Sequence, residues 1–198
     1  MYNNLYTIGY SGYNIDDFIS SLIKADVNAV VDVRSSPFSK MFPDFNKDKI
    51  YLSLKKYHIY YIPMSTQLGA RPHNYEVYTD NHVDFIKMSE SSSFLAGCSR
   101  IKEGLLNYTV CLMCSERDPV TCHRAILVSH TIKKIYPEIN IFHILPNKIE
   151  TNKEMETRLL NITKCDQLSL IGGSLIDEAY LKQGKKIAYR LIETTTED

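Results

Sequence analysis

Apolar positions recur along the chain at two spacings, close to two and close to 3.6 residues, and the two kinds of segment alternate. Leu5 to Ile8 forms a short apolar run that Gly9, Ser11 and Gly12 turn into a loop. Asn14 then caps a helical pattern with Ile15, Phe18, Ile19, Leu22 and Ile23 on one face, and Asp16 and Asp17 fall in its first turn, as the helix dipole favours. Ala29 to Val33, AVVDV, reads as a buried strand. The resulting strand, helix and strand predict a parallel pair joined by a right-handed crossover. Pro37 and Pro43 keep the next stretch irregular, Asn46 caps a helix expected to turn Ile50, Tyr51, Leu54 and Tyr57 to the core, and Ile59 to Ile62 makes a third strand. A long loop with Leu68, Gly69, Ala70, Arg71 and Pro72 follows, then helical patterns at Val83 to Met88 and Phe94 to Leu106.

Val110 to Met113 reads as a fourth strand, Cys122 or His123 to Tyr136 as a helix, Ile139 to Leu145 as a strand stopped by Pro146, and Lys153 to Asn161 as a short helix. The pattern predicts an α/β protein, a three-layer, mostly parallel sheet with helices on both faces in the doubly wound, Rossmann-like manner. Residues 1–165 are expected to form the α/β domain. From Asp166 the composition changes to LSLIGGSL, a basic amphipathic AYLKQGKKIAYRLI and a polar TTTED end; 166–198 are read as an extension packed on that domain, too short to bury its own core.

Composition narrows the function classes. The 198 residues carry 23 basic and 23 acidic side chains, so no whole-molecule field draws the chain to nucleic acid or anionic lipid, and any anion recognition must be local. Nucleic acid is a partner that the net charge does not support. No run approaches the ~18 apolar residues of a membrane span, and the N-terminus lacks a leader pattern, so a soluble, cytoplasmic protein is expected. Five irregularly spaced cysteines argue against a disulfide framework. Fourteen tyrosines and no tryptophan suit half-buried packing with wet hydroxyls, and, with the extension, would suit a homodimer.

Chemistry concentrates between Thr109 and His130, where Cys114, Glu116, Arg117, Asp118, Cys122, His123 and Arg124 fall within eleven positions at a strand end and a helix start. In a parallel sheet the loops after the strands' carboxyl ends share one edge, which would bring Ser11, Asp32, Arg34, Arg71 and this loop together. Arg34, Arg71 and Arg124 would then surround a small anionic ligand, with Asp32 and Ser11 assisting. Cys114, facing a helix N-terminus near Arg124 and His123, is the candidate nucleophile with a lowered pKa; Glu116 or His123 would move its proton. Cys111 and Cys114 lie on a strand, point to opposite faces and are not a redox pair. No metal ligand is assigned: neighbours such as Cys122 and His123 rarely both reach one ion, and no cofactor is required. A buried structural Cys114 with a Glu116–Arg124 pair, a structural zinc loop of Cys114, Cys122 and His123, and a Cys114–Cys122 disulfide stay open beside it.

The segments TIGYSG, VVDVRSSPFSKMFPDFN, IPMSTQLGARP, CLMCSERDPVTCHRAILVSH, FHIL and EMETRLL together resemble the DUF488 family, over about residues 5–160. The string C-x-E-x-x-P-x-x-C-H-R carries most of that likeness. The resemblance implies an α/β fold and a shared site at the DVR, LGARP and CSERDPVTCHR segments, without supplying a reaction. Function is therefore expected from the residues: a cysteine-dependent transferase or hydrolase acting on a small anionic, nucleotide-like or sulfur-containing substrate, or a non-catalytic binding module using the same rim.

Overall fold

The computed structural model describes residues 4–165 and 174–191; the LSLIGG and TTTED segments lie outside them. β1 (Asn4–Gly9), β2 (Ala29–Asp32), β3 (Tyr60–Pro63), β6 (Val110–Cys114) and β7 (Asn140–Leu145) run parallel, and β8 (Lys148–Thr151) closes the edge antiparallel to β7. The sheet order is β3-β2-β6-β1-β7-β8, with β6 between β2 and β1. Every residue of β6, VCLMC, is buried, as a central strand covered on both faces requires. β4 (Tyr78–Thr79) and β5 (His82–Val83) form a separate two-stranded hairpin.

Helices cover both faces, giving the three-layer α/β arrangement. On one face α1 (Ile15–Lys24) and α2 (Lys47–Lys56) pack Phe18, Ile19, Leu22, Ile50 and Leu54 against Ile8, Val30, Cys111 and Met113. On the other, α3 (Ser65–Leu68), α4 (Phe85–Glu90), α5 (Ser92–Gly104) and the helix after β6 pack Leu68, Met88, Phe94, Ile101, Leu127, Val128 and Ile132 against Leu5, Val31, Leu112 and Cys114. Cys111 and Cys114 thus belong to opposite faces, as strand alternation dictates. Asn14 caps α1 by accepting from Asp17 N. Asn46 precedes α2 but spends its side-chain oxygen on Ser39 N, 2.6 Å away, holding the proline-rich loop. Tyr51 and Tyr57, expected in the core, are exposed, as is Ile23 on α1: α2 buries only the stripe through Ile50 and Leu54.

After β6 the helix does not start regularly. Pro119–Thr121 forms a 3₁₀ turn, Arg124–Ser129 winds as a π-type segment, and α6 (His130–Ile135) is α-helical. All six residues of the π segment are buried, and Ser129 Oγ donates to Arg124 O at 2.7 Å across the widened turn. α7 (Asn152–Thr163) begins with a capping box between Thr151 and Glu154. α8 (Leu175–Ile187) lies against α7 and the β6 loop, where Tyr180 donates to Glu156, and Gln183 Nε2 to Val120 O at 2.6 Å. No described helix is long and apolar enough to cross a membrane.

Candidate functional site

The loop that leaves β6 folds back over the end of β1. Tyr10 N donates to Cys114 O and Ser11 N to Ser115 O, so the first loop is zipped to it. The crossing needs Gly9: a β-carbon there would overlap the Glu116 carbonyl and touch Arg124 Nη1. Arg124 clamps the loop from below. Its guanidinium is fully buried and donates to Glu116 O at 2.5 Å, Arg117 O at 3.2 Å and Thr7 Oγ1 at 3.3 Å, while Thr7 Oγ1 also bonds His143 Nδ1 at 2.8 Å.

Above this clamp the side chains of Cys114, Glu116, Cys122 and His123 converge, with one donor-type atom of each within 4.8 Å of the others. Glu116 Oε2 lies 3.2 Å from Cys114 Sγ and 2.9 Å from Cys122 Sγ. His123 Nδ1 lies 3.7 and 4.0 Å from the same two sulfurs. His123 Nε2 sits 3.0 Å from Val33 O on the far side of the ring. A carbonyl oxygen only accepts, so Nε2 carries the proton, and in the neutral ring the lone pair of Nδ1 faces the sulfurs. Ser115 Oγ donates to Glu116 Oε1 at 2.9 Å, which fixes the carboxylate and leaves Oε2 to the cluster. Three of the four residues are buried and Glu116 is exposed, so the cluster meets solvent through the carboxylate.

The backbone explains how neighbours converge. Cys122 ends the 3₁₀ turn in an extended conformation (φ −127°, ψ 137°), and His123 switches to helical angles (φ −60°, ψ −24°). Successive side chains swing to one side there, where a continuous helix or strand would separate them. The two thiols titrate apart. Hydrogen bonding to Cys122 and burial hold Cys114 well above the usual thiol pKa. For Cys122 burial is outweighed by the Cys114 contact, Arg124 and His123, which hold it well below. The lowered pKa expected at Cys114 falls instead on its partner Cys122. His123 is raised, burial being outweighed by the Cys122 contact and by Glu116.

The arginines expected to surround one anion are committed separately. Arg124 is spent on the loop backbone. Arg34, 4% exposed, pairs with Asp32 through Nε and Nη2 and lies over the Tyr10 ring, leaving Nη1 without a hydrogen-bond partner among the described residues. Burial opposes its charge, but the Asp32 pair outweighs that and raises its pKa. Asp32 is itself buried and accepts from Tyr61 as well. Arg71 donates its backbone N–H to Ser35 and stacks its guanidinium on Tyr189, at 4.7 Å, beyond α8. Ser11 contributes through its main chain. Cys122 is the member of the cluster that the sequence offers only as a zinc or disulfide partner of Cys114, outside the expected catalytic and anion-binding residues.

A family model described as Domain of unknown function DUF488 matches residues 14–131, a span that holds all four cluster residues. Searches of the curated proteins and of the solved structures found no match. The family match covers more than half of the chain, and the protein belongs to the DUF488 family.

Proposed function

We propose that the chain is a metal-dependent enzyme acting on a small anionic substrate, with zinc bound by Cys114, Cys122 and His123 and with Glu116 as a fourth, exchangeable ligand. The convergence of the four donor atoms carries this reading. Zinc ligands at their usual bond lengths stand roughly 3.3–3.8 Å apart around a tetrahedron; four of the six separations run from 2.9 to 4.0 Å and bracket that range, and all six lie within 4.8 Å. The Val33 contact supports it independently, because an imidazole ligand normally gives its other N–H to a carbonyl or carboxylate. So does charge. A Cys122 thiolate 2.9 Å from the Glu116 carboxylate is repulsive unless a proton or a cation lies between them.

An exposed carboxylate beside three buried ligands favours a site that exchanges one position over a closed structural one. Bound zinc would supply Lewis-acid polarisation and an acidic water. Glu116, the exposed carboxylate beside the three buried ligands, would be the proton acceptor at such a site. The reduced thiols suit a cytoplasmic setting.

A second reading keeps the cysteines as reagents. The low Cys122 pKa beside His123 favours a nucleophile at Cys122, with Cys114 and Glu116 as its proton partners. Metal content separates the two. The full chain, incubated with zinc and desalted, is expected to retain about one ion, and cobalt in its place to give thiolate-to-metal absorption that Cys114→Ser and Cys122→Ser abolish. A chain that retains no zinc, gives no such absorption and alkylates Cys122 with a midpoint below ~8.5 belongs to the nucleophile reading.

A further inference from the structure

We infer that a cavity beside this loop is an anion seat that takes the charged end of a phosphate-bearing small molecule on Arg117 and Lys148. What the seated group is presented to rests on the metal reading; the seat itself does not. The cavity, about 440 Å³, lies where the β6 loop meets the β7–β8 turn and is lined by Arg117, Asp118, Asn147, Lys148, Arg158 and the end of β7. That volume suits a small ligand.

Its charges are not self-cancelling. Arg158 grips Asp118 with two hydrogen bonds of 2.9 and 3.0 Å and Glu150 with two of 2.8 and 2.7 Å, so one guanidinium engages both carboxylates. Burial works against the Asp118 charge, but the Arg158 bonds outweigh it and keep the carboxyl ionised. Lys148, exposed over more than half of its side chain, reaches Glu150 only at 3.4 Å. Arg117 is exposed and forms no side-chain hydrogen bond or ion pair among the described residues. It lies across Gly12, where a β-carbon would meet its Cδ at 3.3 Å. Three cations, Arg117, Lys148 and Arg158, line the cavity against one carboxylate, Asp118, and an oxyanion would balance the excess positive charge. The Asn147 amide adds a neutral donor. Arg117 follows Glu116 directly, so a ligand seated there is one residue along the loop from the exchangeable carboxylate.

The test is a titration of the ¹⁵N-labelled full chain with inorganic phosphate at constant ionic strength, once zinc-loaded and once with the metal removed. Saturating shifts of the Arg117, Asn147 and Lys148 amides are expected, with affinity about tenfold or more weaker in Arg117→Ala/Lys148→Ala, both exposed positions whose folding the unshifted remainder of the spectrum checks. Amides that stay put or fail to saturate, or an affinity unchanged in the double variant, overturn the seat. If phosphate binds and zinc does not, the metal reading fails alone; if zinc binds and these amides do not move, the seat fails alone.

Discussion

Glu116 and Cys122 share one contact of 2.9 Å yet differ in what their loss should do. Glu116 is exposed and held by Ser115, whereas Cys122 is buried under the loop. Glu116→Gln should keep about one zinc per chain and weaken it by about tenfold, while Cys122→Ser should weaken it at least a hundredfold, both read by competition with a chromophoric chelator. Equal losses would show that Glu116 is a fixed ligand. At this scale the sequence was partly legible. The density of polar residues from Cys114 to Arg124 pointed to the loop and to Cys114, Glu116 and His123. It leaves Cys122 as an open alternative only, because the argument against adjacent ligands assumes one continuous backbone conformation, and the change of angles at Cys122 and His123 breaks that assumption. Nor could it show that Arg124 faces inward: a guanidinium beside a strand end reads equally as a ligand holder or as a buried clamp.

The loop's position over β1 depends on elements as wholes. Gly9→Ala should push the Glu116 carbonyl out of its crossing, lowering stability by about 1–3 kcal/mol or more and weakening metal binding with it. Gly12→Ala, at φ 96°, should cost about 1–2 kcal/mol of backbone strain and leave the metal affinity near normal. Urea unfolding and cobalt titration of the two variants separate close approach from strain; equal metal loss in both would remove the crossing argument. Most elements were readable from periodicity, since strands such as AVVDV and VCLMC and the helix stripes of α1 and α5 carry strong apolar signals. β8 was not. Its one buried position is Glu150, whose burial is made tolerable by Arg158 from α7, and an apolar pattern cannot register a buried carboxylate. The π segment likewise looks like plain helix in the sequence, because all its residues are buried and periodicity carries no phase there.

Over the whole molecule, two histidines, His143 buried and His130 half-buried, tie stability to pH. His143, fully buried between Thr7 and Asn152, and His130, stacked on Tyr180, are both lowered to about 4, chiefly by burial, with Arg124 adding to the effect at His143 and Lys134 at His130. Between pH 6.5 and 4 the unfolded chain binds protons that the folded chain refuses. The stability these histidines contribute is therefore full above ~6.5 and falls with decreasing pH at up to about 1.4 kcal/mol per unit for each. His143→Gln should make the slope of unfolding free energy against pH shallower by about that amount between pH 6.5 and 4.5; an unchanged slope would place the proton elsewhere. The sheet class followed from the alternation of elements, but the order that sets β6 between β2 and β1 did not, because parallel pairing leaves no local mark on which strands adjoin. That order has a further consequence. It places the Val33 carbonyl beside His123, and a main-chain oxygen cannot be removed by changing a side chain. The group that orients the imidazole is thus shielded from point mutation, so drift at position 33 can alter packing while the ring keeps its tautomer, and losing that contact takes a slip of one strand against the next.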